Sequence, residues 1–352
     1  MRSKVIKIGL TLLLGGLFLW LAFRNVRLQE VWEFARNIQF GWLLPFAVVT
    51  FLSHVVRAER WRLLIEHEKE ELDLFALISA VMVGYMTNLV APRVGEVARP
   101  VYAAKREGLS SSKLIGTIVL ERIIDITTMG VLMAVVAVYL VSDVALLSQI
   151  FGEETVRFFS EGLNMAEWLW GLLFLLLFLA GGYLSWKLIT WLGDRYENIQ
   201  YWIDRARQGL LMFKEGILSA RKVQRWGYFL VLTALIWLGY TLMSYIPFWM
   251  FDLQETYQLG FLDALTITVI SAIGISIPSP GGIGTYHYFV KQTLIVLFAV
   301  PAVTSLAYAT ITHAAMVLIV STSTPVILAI DKYRASRDPE IPIVEEELDR
   351  TP

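Results

Sequence analysis

Cysteine is absent from the 352 residues, which excludes disulfides and thiolate metal centres and leaves the redox compartment unmarked. Histidine is nearly absent too, with four in the whole chain. His287 and His313 stand apart in sequence, so no metal site is expected, and no cofactor either. There is no G-x-S-x-G elbow, no H-E-x-x-H pair, no P-loop and no glycine loop following a strand. Nothing in the motifs reads as an enzyme. Charge is scarce: 17% of residues are charged and the formal net charge is -1. No global field recruits nucleic acid at that balance.

What remains is apolar. Hydrophobic residues make up 56% of the chain and aromatics 13%, with mean hydropathy +0.59. Long apolar runs separated by clustered charges specify an all-α, polytopic integral membrane protein. Six segments, near 5–23, 41–63, 113–141, 166–192, 226–251 and 303–330, are long enough to cross about 30 Å of hydrocarbon at ~1.5 Å per residue. The first follows Met1-Arg2-Ser3-Lys4 and is longer than a signal-peptide core, so it is expected to be retained as a span.

Two further apolar stretches, near 73–91 and 261–300, are interrupted. The first carries Ala91-Pro92-Arg93-Val94-Gly95-Glu96, the second Pro278-Ser279-Pro280-Gly281-Gly282-Ile283-Gly284. Proline removes backbone donors and glycine favours non-helical dihedrals, so neither stretch is expected to run straight. Lipid cannot satisfy the freed backbone groups, and such breaks survive only inside protein or against a wet cavity. Both are read as re-entrant broken hairpins, and paired breaks point to a transport site.

Lysine and arginine fall mainly on one side of these spans: Lys4 and Lys7, Lys69, Lys105 and Arg106, Arg225, Lys332 and Arg334. The positive-inside rule then places both termini in the cytoplasm of a multi-pass inner-membrane protein. The order span, interfacial segment, span, broken hairpin, span occurs in 1–141 and again in 166–330. The interfacial segments are Leu28 to Ile38 and Ile199 to Ile217. Three crossings per half is odd, which predicts an inverted repeat: six spanning helices plus two re-entrant hairpins. This transmembrane domain occupies 1–335, and 336–352 reads as a disordered cytoplasmic tail.

Charges also occur inside the apolar runs. Glu121, Arg122 and Asp125 lie about three turns into a helix opening at Ser110-Ser111-Ser112, and their spacing puts them on one side of it. Each costs about 2.5 to 3.5 kcal/mol at the bilayer centre unless it faces protein or water. One reading is an ion-pair network that locks this helix to Arg57, Arg60 or Arg93; the other is a polar cavity wall for a headgroup. A short helix beginning near Arg93 would bring Arg99 beside Glu96. Arginine forks at a helix start suit phosphate. The second break offers backbone N–H groups with Tyr286 and His287, and its glycines permit close approach.

Arg93-x-Gly95-Glu96-x-x-Arg99, Glu121-Arg122-x-x-Asp125 and Pro280-Gly281-Gly282-Ile283-Gly284 together resemble the lysylphosphatidylglycerol synthase transmembrane region, or flippase-like, family. Arg60-Trp61 and His313 fit it too, and the likeness runs from about residue 5 to 330. In its bifunctional members this region moves an aminoacylated lipid that a soluble synthase domain makes. The chain shows no synthase half, so aminoacyl transfer is not expected.

The residues and the resemblance together imply a translocase or scramblase that moves a polar-headed phospholipid or lipid-linked molecule between leaflets. Headgroup binding falls to Arg93, Glu96, Arg99, Glu121, Arg122 and Asp125. The cavity is lined at the breaks by Pro92, Gly95, Pro278, Pro280, Gly281, Gly282, Gly284, Tyr286 and His287. A membrane lipid is the expected partner; a homodimer and a lipid-modifying partner enzyme also fit. The alternatives are a membrane enzyme acting on a lipid-linked substrate through the carboxylates, and a proton-coupled solute transporter using Asp125 and the histidines.

Overall fold

The computed structural model describes residues 2–24, 26–69, 71–141, 187 and 223–337. No strand occurs among them. The helices are α1 (Arg2–Phe23), α2 (Leu28–Arg36), α3 (Leu43–Ile65), α4 (Leu74–Val90), α5 (Gly95–Glu107), α6 (Ser111–Val141), α7 (Trp226–Met250), α8 (Leu253–Thr256), α9 (Phe261–Ser276), α10 (Thr285–Phe298) and α11 (Ala302–Arg337). Single 3-10 turns at Phe40–Trp42 and Pro280–Gly282 precede α3 and α10. The chain divides into two compact units, 1–137 with 219–352, and 138–218. Both interrupted stretches and Glu121, Arg122 and Asp125 belong to the first unit.

Four helical stretches are long and apolar enough to cross a membrane: Phe40–Ile65, Ser111–Leu140, Trp226–Met250 and Ala302–Arg337. They fall on the expected spans. The helix from Thr11 to Phe23 turns by 73° into Leu28–Arg36, and the pair counts as a fifth span if taken together. The described residues thus hold four to five candidate spans, against the six expected over the whole chain. The expected span 166–192 and the interfacial segment 199–217 lie outside the described residues. So does 338–352, whereas Ser336 and Arg337 still belong to α11.

Two apolar cores occupy the two ends of α7 and α11. One gathers Trp61, Leu64, Leu77, Leu114, Phe229 and Ile327. The other gathers Val31, Phe248, Leu253, Ile267, Leu294 and Tyr308. Lipid tails are as apolar as these side chains, so their cohesion comes from close packing rather than from escape from water.

Both expected breaks are present. Asp73 caps α4, its Oδ1 accepting from the Phe75 amide at 2.9 Å. The helix stops at Val90 because the residue before a proline is driven out of the α region; Ala91 is extended. Arg93 then takes a left-handed conformation (φ 66), so the short helix starts at Gly95 rather than at Arg93. α5 folds back flush on α4. A Cβ on Gly95 would collide with the Gly84 carbonyl, and the Gly95 amide donates to Asn88 Oδ1 at 2.8 Å. The Asp73 amide donates to Glu107 Oε1 at 3.2 Å, closing the base of this hairpin beside Arg334.

The second hairpin opens from the other end of α7. The Gly260 amide donates to Asp263 Oδ2 at 2.7 Å, α9 runs to Ser276, and α10 returns to Val300 in the core beside Phe251. Gly284 sits at φ 87, and a side chain there would strike the Gly15 carbonyl of α1. Only glycine fits that position without strain. The two tips touch: Arg93 Nη2 donates to the Ser276 carbonyl at 3.1 Å, and a Cβ on Gly281 would lie 3.4 Å from Leu89 Cα.

Candidate functional site

On α3, Arg57, Arg60 and Trp61 recur at helical spacing and so share a face. On α6, Glu121 and Asp125 do the same. These faces meet against the core around Trp61 and Phe229, and α5 adds Arg99. Arg57 Nη2 lies 2.6 Å from Glu121 Oε1 and 3.0 Å from Asp125 Oδ2. Arg60 Nη2 lies 3.2 Å from Glu121 Oε1 and 2.7 Å from Asp125 Oδ1. Arg99 Nη1 reaches Glu121 Oε2 at 3.0 Å. The Glu121 side chain is 1% exposed and that of Asp125 16%.

Neutral groups complete the shell. Arg57 Nη1 donates to Tyr85 Oη at 3.1 Å and to Tyr240 Oη at 2.8 Å. The Arg99 guanidinium stacks 4.1 Å from the centre of the Trp61 ring, and Trp61 Nε1 donates to Thr117 Oγ1 at 2.9 Å. Three arginines therefore face two carboxylates, leaving one positive charge unmatched in a buried setting. Nε of Arg60, and Nε and Nη2 of Arg99, have no hydrogen-bond partner among the described residues. Buried donors are normally satisfied. Glu121 Oε2 and Asp125 Oδ1 likewise lack a well-aligned hydrogen bond and are held by the ion pairs alone.

Two sequence expectations are corrected here. Arg122 does not join Glu121 and Asp125: it pairs with Glu96, Nε to Oε1 at 3.3 Å, with side chains 45% and 38% exposed. A helix turns roughly 100° per residue, so Glu121 and Asp125 lie about 40° apart while Arg122 sits on the shoulder. Arg99 in turn pairs with Glu121 and not with Glu96, because α5 presents it to the interior. Arg57 and Arg60 are the centre of the cluster, and the sequence named them only as neighbours.

At the second break, Pro278 lies in the extended stretch after α9, and Ser279 and Thr285 hydroxyls bond at 2.9 Å across the turn. Pro280 packs on α1: a Cβ on Gly15 would lie 3.4 Å from its Cδ. Gly282 faces His313, and Tyr286 Oη pairs with Thr312 Oγ1 at 3.1 Å. The imidazoles of His287 and His313, far apart in sequence, stand 4.9 Å apart. Both nitrogens of His313 and Nδ1 of His287 lack partners among the described residues. No group of three metal-ligating side chains occurs among the described residues. Lys291 turns away from the break and donates to the Ala22 carbonyl at 2.7 Å, at the end of α1.

The buried cluster of three arginines and two carboxylates, one turn beyond the first helix break, carries a surplus positive charge that an anion would balance. No curated protein and no solved structure matches the chain. The profile of the lysylphosphatidylglycerol synthase TM region matches residues 6–323, nearly the whole length, taking in both helix breaks and the charge cluster. The chain belongs to the lysylphosphatidylglycerol synthase TM region family of membrane proteins.

Proposed function

We propose that this protein is a lipid translocase or scramblase and not an enzyme, and that its arginine cluster takes the phosphate of a polar-headed phospholipid or lipid-linked molecule. One observation carries the reading: a surplus guanidinium charge with unpartnered N–H donors, one turn beyond a helix break. Arg99 offers Nε and Nη2 as a fork for the phosphate, and Arg60 adds its Nε. Glu121 and Asp125 keep the arginines oriented, and Arg93, Arg122 and Glu96 form the exposed approach. Acyl chains stay in lipid, so only the headgroup needs a polar path.

In this reading the two hairpins are re-entrant elements of an inverted repeat, entering from opposite leaflets. The contact between their tips, and the positions of their bases at opposite ends of α7, support it. Both termini face the cytoplasm of the inner membrane. With no nucleotide-binding motif in the chain, directional flux draws on a gradient, a sink in the far leaflet or a lipid-modifying partner enzyme. A homodimer is compatible with the same site.

The test is movement of fluorescent phosphatidylglycerol across proteoliposomes, read by quenching of outer-leaflet probe. Arg60→Ala and Arg99→Ala are expected to slow it at least tenfold, and Arg122→Ala by less. Rates unchanged in both buried variants would remove the proposal.

A further inference from the structure

A cavity lies far from the arginines. It has a volume of about 330 Å³ and opens between the end of α2, the segment joining α7 to α9, and the first turn of α11. That size is at the lower end of ligand pockets, roughly 300–1,000 Å³. Counting along α3 from Gln39 to Arg57 at ~1.5 Å per residue separates it from the arginine cluster by about 27 Å. The ion pairs Arg106–Asp331 and Arg225–Glu66 sit at the opposite ends of α11 and α7 from this cavity. It therefore belongs to the end of the bundle away from the basic loops.

Its polar lining is Asn37, Gln39, Asp252, Thr256, Tyr257 and Thr304. Asn37 commits only its amide nitrogen, which donates to the Glu33 carbonyl at 3.1 Å. Gln39 commits only its amide oxygen, which accepts from Trp42 Nε1 at 3.3 Å. The side chains of Asp252, Thr256, Tyr257 and Thr304 have no hydrogen-bond partner among the described residues, and Asn37, Gln39, Asp252 and Thr256 are exposed at the mouth. Phe34 and Phe251, stacked at 6.1 Å, supply an apolar wall. The segment is held in an unusual shape, with Asp252 (φ 58) and Gln258 (φ 55) both left-handed.

Among the described residues no lysine or arginine lines the cavity, and Asp252 repels anions, so phosphate is excluded. An ammonium group would use the carboxylate and leave the amides and three hydroxyls idle. A ring with many hydroxyls uses all of them: vicinal hydroxyls donate to carboxylate and amide oxygens, accept from the Gln39 amide, and lay a C–H face on the aromatic wall. We infer that this cavity is a binding site for a hydroxyl-rich, saccharide-like group, carried by a lipid or free. The inference goes beyond the translocation reading, and its test reads binding without transport, so the two fail separately.

The experiment places the full chain in phosphatidylcholine nanodiscs and measures methyl glucoside binding by saturation-transfer NMR. Saturable binding is expected, weakened at least fivefold by Gln39→Ala and by Asp252→Gly. Glycine suits the left-handed backbone at 252, so that variant removes the carboxylate while keeping the loop. Nanodiscs doped with a glucosyl diacylglycerol separate the sources. Displacement of methyl glucoside assigns the site to a lipid headgroup, and no displacement assigns it to free saccharide. Absence of saturable binding, binding insensitive to both variants, or Asp252-dependent binding of ethanolamine in place of the glucoside would overturn the inference.

Discussion

Glu121→Gln isolates the charge at the centre of the cluster with almost no change of volume. The native carboxylate lies within 3.2 Å of nitrogens from Arg57, Arg60 and Arg99 and is 1% exposed. Replacing it leaves three guanidinium groups against Asp125 alone, in a setting closed to bulk solvent. Removing one partner from a buried ion pair costs about 3–5 kcal/mol, most of it the penalty of the stranded charge. At ~2 °C per kcal/mol, the lower end for larger domains, the apparent Tm is expected to fall by about 6–10 °C. The assay is intrinsic tryptophan fluorescence during heating of the detergent-solubilised protein. Arg122→Ala is the internal control. Its half-exposed pair with Glu96 is worth about 1 kcal/mol or less, which predicts a shift of ~2 °C or less. If Glu121→Gln shifts the transition no more than Arg122→Ala does, the cluster is hydrated and the reasoning from stranded charge is wrong.

Gly95→Ala should destabilise the α4–α5 hairpin by about 1–3 kcal/mol, because the new methyl meets backbone that cannot retreat; unchanged hydrogen exchange over 84–99 would show that the two helices do not pack flush. Asp331→Asn removes the charge that Arg106 grips through Nε at 2.8 Å and Nη2 at 2.9 Å and that Tyr102 Oη contacts at 2.6 Å. A loss of about 3 kcal/mol is expected, seen as faster exchange in α5 with α9 and α10 unaffected. Equal acceleration in all three helices would mean that α11 does not anchor α5 locally.

The breaks were legible because proline and glycine act through the backbone, and their effect needs no knowledge of neighbours: Pro92 and the run from Pro278 to Gly284 end their helices where the sequence says they must. Four of the expected spans were legible from length and hydropathy. The presence of a buried charge cluster was legible too, since Glu121 and Asp125 have no tolerable environment in lipid. Its membership was legible only in part: Arg57 and Arg60 stood among three candidate partners, whereas the pairing of Arg99 with Glu121 and of Arg122 with Glu96 was not foreseen. Arg57 and Arg60 become central only when α3 lies against α6, a pairing that no local signal encodes. Arg122 looked equivalent to its neighbours at i, i+3 resolution, and only the small angular offset around the helix sends it outward to Glu96. The cavity at Asp252 left no motif at all, because its six polar groups come from three segments far apart in the chain.

The join between the hairpin tips is slender. One arginine-to-carbonyl bond and a glycine laid against Leu89 link segments that are otherwise 183 positions apart in the chain. A hydrogen bond to a charged donor contributes about 1.5–3 kcal/mol, a small multiple of thermal energy. Separating the two elbows would break this latch without unfolding either hairpin, and would leave the Arg93 guanidinium without its carbonyl acceptor.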